Sequence, residues 1–241
     1  MQECIRFCIK HKLVLLADEV YQENIYVPHK QFYSFRKVAL GMGEEAKNLQ
    51  LISFHSISKG YFGECGRRGG YLQAMGFDES IMAQITKLWS VNLCANTDGQ
   101  IALDCMVKPP KEGEPSYALY KKEREDILES LKRRAVKLSH SLSKLPGISC
   151  TPVDGSLYIF FKVILSEKVV EAAAKRGVSP DYLYCEEMLN ATGIVTVPGS
   201  GFQQKDGTYH VRTTFLPLES EIDKVIKRME EFQYAFVKKY E

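Results

Sequence analysis

Residues 13–19 read LVLLADE, an uninterrupted apolar run that ends abruptly in Asp18-Glu19. A short continuous run of this kind is typical of a strand buried on both faces, as in the parallel sheet of an α/β protein. Residues 49–54 repeat the pattern and end in the polar stretch His55-Ser56-Ile57-Ser58-Lys59. A third, shorter strand is expected over residues 69–72. We therefore predict an open parallel or mixed sheet, preceded by an amphipathic helix over residues 1–12.

The chain changes character after the turn-rich stretch PPKEGEP at residues 109–115. A long helix is predicted from the N-cap Ser116 to about Leu145, where Pro146-Gly147 stops it. Beyond it, short elements follow without βαβ regularity: strands near 148–152, 157–163, 194–197 and 209–215, and helices near 168–175, 180–191 and from 219. We place an α/β domain at residues 1–112 and a smaller α+β domain at residues 113–241.

Composition excludes several classes of function. The 241 residues carry 32 Lys and Arg against 30 Asp and Glu, and a net charge of +2 gives no electrostatic footprint for nucleic acid. The longest uniformly apolar run is far too short to cross a bilayer, so we expect no membrane partner. Seven cysteines without a CxxC pair or histidines at ligand spacing predict reduced thiols, no metal site and an intracellular protein, cytoplasmic or mitochondrial.

Reactive side chains follow two of the predicted strands. In open α/β sheets ligands bind beyond the carboxyl ends of the strands, where Asp18, Ser56 and Lys59 would converge. Taken alone, an aspartate after a strand is most often a helix cap or turn residue, and a lysine in this place is most often a solvated charge. Together they match what pyridoxal phosphate (PLP) requires: an amine for a Schiff base, an acid for the pyridinium nitrogen, and hydroxyl donors for the phosphate. The glycine-flanked pair Arg67-Arg68 adds two guanidinium groups suited to phosphate oxygens.

At these residues the sequence resembles the fold-type-I, PLP-dependent aminotransferases of class I and II. The resemblance rests on DEVY at 18–21, SISK at 56–59, GRRGGY at 66–71, VPGSGF at 197–202 and HVRTT at 210–214, and covers essentially the whole chain. LADEVYQ (16–22), SKGYFGECGRRGGY (58–71) and SVNLC (90–94) resemble the branch of the family that transfers the amino group between alanine and 2-oxoglutarate. The resemblance to the family implies an α/β fold with an incomplete large-domain sheet and a smaller α+β C-terminal domain. It also implies PLP as the cofactor.

The resemblance also implies roles for individual residues. Lys59 would be the catalytic, Schiff-base lysine, Asp18 the partner of the pyridinium nitrogen and Tyr21 the donor to the ring oxygen. Ser56 and Arg68 would hold the phosphate, with Arg67 exposed, and the substrate carboxylate would be bound by Arg212.

Several alternatives remain open at this point. In the family the sequence matching Asp18 lies well inside the chain, so we expect a C-terminal portion with low activity alone and a homodimer in the longer protein. A tyrosine- or kynurenine-type aminotransferase would show the same core residues. A non-catalytic C-terminal fragment is the alternative outside enzyme function. An NAD-dependent oxidoreductase is disfavoured because no GxGxxG follows a strand.

Overall fold

The computed structural model describes residues 1–241 and divides them into two compact units, Met1–Arg124 (unit 1) and Glu125–Glu241 (unit 2). Unit 1 contains three strands and four helices, and a further helix, α5 (Tyr117–Leu142), begins in it. These elements are α1 Gln2–Lys10, β1 Leu15–Asp18, α2 Phe35–Met42, β2 Leu51–Ser56, β3 Gly70–Met75, α3 Glu79–Trp89 and α4 Thr97–Val107.

The sheet of unit 1 is mixed, in the order β1-β2-β3. Strand β2 runs parallel to β1 and antiparallel to β3. Helices α1 and α2 cover one face of the sheet with a small apolar core formed by Ile5, Cys8, Ala17, Ala39, Ala46, Leu49 and Leu51. The mixed sheet agrees with the sequence prediction, and so does the position of each strand to within a few residues.

The prediction that these strands are buried on both faces is wrong. Leu16 in β1 is 63% exposed, and the side chains of β2 alternate between buried and half-buried. On the face that carries Leu16, Asp18 and Phe54, Trp89 at the end of α3 lines a cavity beside Asp18. A continuous apolar run therefore predicted the strand correctly but not what lies against each of its faces.

Unit 2 is an antiparallel sheet of order β4-β5-β7-β6 with amphipathic helices. Its elements after α5 are β4 Ile148–Ser149, β5 Tyr158–Val163, α6 Glu167–Lys175, α7 Pro180–Thr192, β6 Val197–Pro198, β7 Tyr209–Thr214 and α8 Ile222–Lys239. Phe161, Tyr184 and Phe215 are fully buried in its core. The Tyr184 hydroxyl donates a hydrogen bond to Gln233 Oε1 at 2.6 Å, so the one polar atom of that ring is satisfied.

Local sequence explains where the helices of unit 2 begin and end. Helix α7 has Ser179 as N-cap, Pro180 in its first turn and Gly193 after its last turn, with φ of 73°. On the long helix α5, Leu131 and Leu138 are buried, whereas Leu119 near its start is 62% exposed. No helix in the structure is both long and apolar enough to span a membrane.

Candidate functional site

Two neighbouring strand ends form the candidate site of unit 1. Asp18 is the last residue of β1 and lies beside Phe54 of the parallel strand β2, which ends at Ser56. Because alternate residues of a strand share a face, Asp18 and Ser56 lie on the open face of the sheet. Both line a cavity of about 430 Å³, together with Val20 and Trp89.

The polar groups of this cavity retain capacity for a ligand. Asp18 accepts one hydrogen bond, from the backbone N–H of Val20 at 3.3 Å, and a carboxylate has acceptor sites beyond that one. The Ser56 hydroxyl oxygen accepts from the backbone N–H of Ser58 at 3.3 Å, so its own proton is available for donation. A Cβ at Gly70, which also lines the cavity, would lie 3.0 Å from the His55 carbonyl oxygen. The same Cβ would lie 3.2 Å from Ser56 Cβ, so this crowded position favours glycine.

Lys59 lies in the turn that follows β2, with its side chain exposed. The next residue, Gly60, has φ of +71°, and a Cβ there would lie 3.4 Å from the Val20 carbonyl oxygen and 3.5 Å from Asn24 Oδ1. The turn with the lysine is therefore packed against the segment that follows Asp18 and contains the half-buried Tyr21. Neither Lys59 nor Tyr21 is among the residues that line the cavity.

Arg68 lies in a tight turn before β3, in the left-handed region with φ of 55°. Its guanidinium donates to the carbonyl oxygen of Cys65 at 3.0 Å and is exposed. The turn packs against the start of α4, where Asn96 Nδ2 donates to the Arg67 carbonyl oxygen at 2.7 Å. A Cβ at Gly99 would lie 2.5 Å from that same oxygen, so this contact requires a glycine. The structure holds the backbone of Arg68 firmly, but the side chain is not part of the cavity.

The residue predicted to bind the substrate carboxylate, Arg212, lies in β7 of unit 2. Its guanidinium carbon is 4.7 Å from the ring centroid of Tyr158 and 4.7 Å from that of Phe202. Both rings are thus within cation–π distance of the planar group, whose N–H groups can still donate hydrogen bonds. This arrangement is suited to bidentate binding of a carboxylate.

A buried carboxylate fixes the loop that carries Phe202. Asp181 is 0% exposed, and its Oδ2 accepts hydrogen bonds from the Ser200 backbone N–H at 2.6 Å and from Gln204 Nε2 at 3.0 Å. Gln204 Oε1 lies 2.9 Å from Nδ1 of His210, which precedes Arg212 by two residues on the same strand face. The carboxylate is thereby connected to the strand that positions the arginine.

Sequence reasoning missed Val20, Trp89 and Asp181 as parts of these sites. Val20 lies two residues beyond Asp18 and could have been found from that spacing. Asp181 follows Ser179-Pro180 and has the pattern of an ordinary acidic residue in the first turn of a helix, so only the folded structure reveals its burial. Trp89 is at the end of α3, a helix that the sequence analysis did not delimit.

Comparisons with known proteins point to one family. A family profile described as aminotransferase class I and II matches residues 1–229. The chain is 51% identical over 241 residues to a probable mitochondrial alanine aminotransferase of Dictyostelium discoideum, covering 100% of this chain and 45% of that protein. It is 47% identical over 239 residues to mitochondrial alanine aminotransferase 2 of Arabidopsis thaliana, covering 99% of this chain and 44% of that protein.

Among solved structures, an alanine aminotransferase of Pyrococcus furiosus superposes with a TM-score of 0.76 at 22% identity, covering 97% of this chain and 52% of that chain. This likeness confirms the predicted fold class, that of the fold-type-I aminotransferases with a partial large-domain sheet. The chain spans less than half the length of the two curated relatives above.

Proposed function

This chain belongs to the class I and II aminotransferases, and from that premise we propose that it carries catalytic residues of a PLP-dependent alanine transaminase. The reaction moves the amino group of L-alanine to 2-oxoglutarate and yields pyruvate and L-glutamate. The observation that carries the proposal is the shared cavity of Asp18 and Ser56 at the ends of two neighbouring strands. The curated relatives named as alanine aminotransferases support alanine over the tyrosine- and kynurenine-type alternatives.

The residues of the cavity fit PLP. Asp18 supplies a carboxylate with acceptor sites to spare for a protonated ring nitrogen, and Ser56 has a hydroxyl proton to donate to a phosphate oxygen. Val20 and Trp89 line the same cavity and add apolar surface to these two polar groups. When bound, the cofactor supplies a ring that accepts the electron pair of a broken Cα–H bond.

The remaining proposed roles belong to side chains outside the cavity. Lys59 would hold the cofactor covalently until the amino group of the substrate takes its place. The amine freed in that exchange would then move the proton of the substrate Cα, as general base and acid. Tyr21 would donate to the ring oxygen and Arg68 would bind the phosphate. Arg212, in contact with its two aromatic rings, would bind the substrate carboxylate through its N–H groups.

The wider setting follows from the same proposal. We expect residues 1–112 to belong to the cofactor-binding domain and 113–241 to the small domain. A homodimer is supported by the exposed apolar side chains around the end of α3, where Leu88, Val91 and Leu93 are 75%, 77% and 87% exposed. Because these relatives are named as mitochondrial, we propose that the protein works inside the cell, in mitochondria or cytoplasm. The exposure of Lys59 and Arg68 predicts low turnover by this chain alone.

The test is absorption spectroscopy of the purified chain with added PLP, followed by borohydride reduction and peptide mass mapping. We expect a yellow species and a pyridoxyl group fixed on Lys59. Lys47→Ala, which removes an exposed lysine outside the proposed site, should keep the label, and Lys59→Ala should lose it. Label spread evenly over many lysines would contradict the assignment of Lys59.

Substrate choice is tested separately, because it depends on different residues. We expect a trace of alanine-dependent pyruvate formation. Arg212→Gln should reduce this activity at least about tenfold, whereas Arg228→Gln should not. Faster turnover of tyrosine or kynurenine than of alanine would favour the broad-specificity alternative.

A further inference from the structure

A second cavity lies on the other face of the unit 1 sheet. It has a volume of about 300 Å³ and is enclosed by the segment after β1 and by the ends of β2 and β3. Ser53 and His55 of β2 point to this face, since they alternate with Ser56. Tyr71 of β3 is the register partner of His55, and Gln73 that of Ser53. The cavity is thus formed by side chains that the proposed transaminase chemistry does not use.

Two buried polar atoms in this cavity have no hydrogen-bond partner. They are Ser53 Oγ and His55 Nδ1, on residues that are 7% and 9% exposed. Buried polar groups in folded proteins are almost always paired, because an unpaired one loses the hydrogen bonds that water gave it. Two such atoms lining one cavity indicate that a polar molecule completes the site.

The neighbours of His55 determine what kind of molecule this is. Gln22 Nε2 lies 2.9 Å from His55 Nε2, and because an amide nitrogen only donates, the ring nitrogen accepts. The neutral ring therefore carries its proton on Nδ1, as a donor. Burial lowers the pKa of His55, against a smaller opposing effect of the carboxylates of Glu23 and Asp18, which favours this neutral form.

The charges lining the cavity restrict the ligand further. Arg36 adds a guanidinium, which together with His55 Nδ1–H and the Ser53 hydroxyl suits a ligand that accepts hydrogen bonds, such as a carboxylate. Glu19 also lines the cavity, and its Oε1 accepts from the Phe35 backbone N–H at 2.8 Å at the start of α2. One fixed carboxylate beside one guanidinium favours a singly charged ligand over a dianion.

We propose that this cavity binds a small monocarboxylate through His55 Nδ1–H, the Ser53 hydroxyl and Arg36. The volume is about ten times the share of one water molecule in the liquid, roughly 30 Å³, so a molecule larger than water fits. Phe54, His55 and Tyr71 line both this cavity and the Asp18–Ser56 cavity, but Ser53 and Arg36 line only this one. The inference does not depend on the proposed transamination.

The experiment is an NMR titration of the 241-residue chain, with the histidine side-chain nitrogens observed directly. Acetate is the probe, acetamide the uncharged analogue, and inorganic phosphate the dianion. We expect a saturable shift of His55 Nδ1 with acetate and at least about tenfold weaker binding of acetamide and phosphate. The absence of a saturable acetate shift, as for a site filled by water alone, would overturn the proposal.

Variants locate the binding. Arg36→Gln should weaken acetate binding about tenfold, whereas Lys37→Gln, which removes the next cation on the same helix, should leave it unchanged. Arg36 is exposed, so this variant is expected to fold; Ser53→Ala gives a second, buried test of the same contact. Equal acetate affinity in Arg36→Gln and the unaltered chain would overturn the assignment of the site.

Discussion

The sheets of the two units each leave one face open, and the two open faces differ in character. In unit 2 that face is polar and aromatic, and Arg212 on it is held by rings and by strands tied to the buried Asp181. In unit 1 it carries Leu16 at 63% exposure beside Asp18. Unit 2 thus positions Arg212 with its own contacts. Unit 1 has a half-covered cavity, and we expect a bound ligand to stabilise the unit.

The largest effect is expected from Phe161→Ala in unit 2. The ring is fully buried, so its removal should cost about 3–5 kcal/mol of the free energy of unfolding. Leu16→Ala in unit 1 should cost less than about 0.5 kcal/mol because that side chain is mostly exposed. Urea titration followed by hydrogen exchange and mass spectrometry measures the free energy of unfolding of each unit separately, from the peptides of that unit. A cost of about 2 kcal/mol for Leu16→Ala would show that the open face is covered in solution.

The next effect is stabilisation by PLP, which should act on unit 1. Binding to the folded state alone adds about 2.7 kcal/mol at a ligand concentration one hundred times Kd. Trp89 is the single tryptophan and lines the Asp18–Ser56 cavity, so its fluorescence follows unit 1. Asp18→Asn should remove most of this gain, whereas the exposed Asp78→Asn should keep it. Equal stabilisation of peptides from unit 2 would contradict the contrast between the units.

A matched pair of helix caps provides a smaller test. Ser34 accepts from the Lys37 N–H at 3.1 Å at the start of α2, and Ser179 accepts from the Tyr182 N–H at 3.4 Å at the start of α7. Each serine to alanine change should cost about 1 kcal/mol in its own unit. The Ser179 hydroxyl also contacts Ser200 Oγ at 3.1 Å, so its loss should be the larger of the two. Thermal unfolding of both variants, compared with Ser143→Ala, measures the difference.

The smallest effect is a pH dependence confined to unit 1. Burial lowers the pKa of His55 from its usual value of 6.5, so the unfolded chain takes up this proton at a higher pH than the folded chain does. The contribution of His55 to stability is therefore complete above about pH 6.5 and is lost as the pH falls through the folded-state pKa. Trp89 fluorescence in urea, measured from pH 7.5 to 5, should show the slope. His55→Gln should flatten it; an unchanged slope would assign the titration to another group.

Much of the fold could be predicted from the sequence, because its local signals are strong. Ser179-Pro180 and Gly193 delimit α7, and the apolar run before Asp18 locates β1. The apolar run by itself did not predict the exposure of Leu16, because what covers a strand is set by other parts of the structure. For the same reason Asp181, an ordinary helix residue by pattern, was missed as the support of the Phe202 loop.

In the candidate site, too, local sequence patterns predicted some features and only the folded structure showed others. Asp18 and Ser56 share a cavity because both end strands that are adjacent and parallel, which their pattern predicts. Lys59, Tyr21 and Arg68 follow from the family resemblance, and their roles stay predictions. His55 gave no signal in sequence, because an isolated histidine acquires meaning only from the groups that surround it.

The contact between the arginine turn and α4 links two distant positions into one evolutionary constraint. Gly99 admits no Cβ because the Arg67 carbonyl oxygen would lie 2.5 Å from it, and Gly69 faces the carbonyl of Gly99 in turn. One added methyl group at Gly99 could therefore disrupt the turn that carries Arg68, even in a protein that keeps every charged group of the site. Tolerated changes at residues 69 and 99 should therefore both be rare.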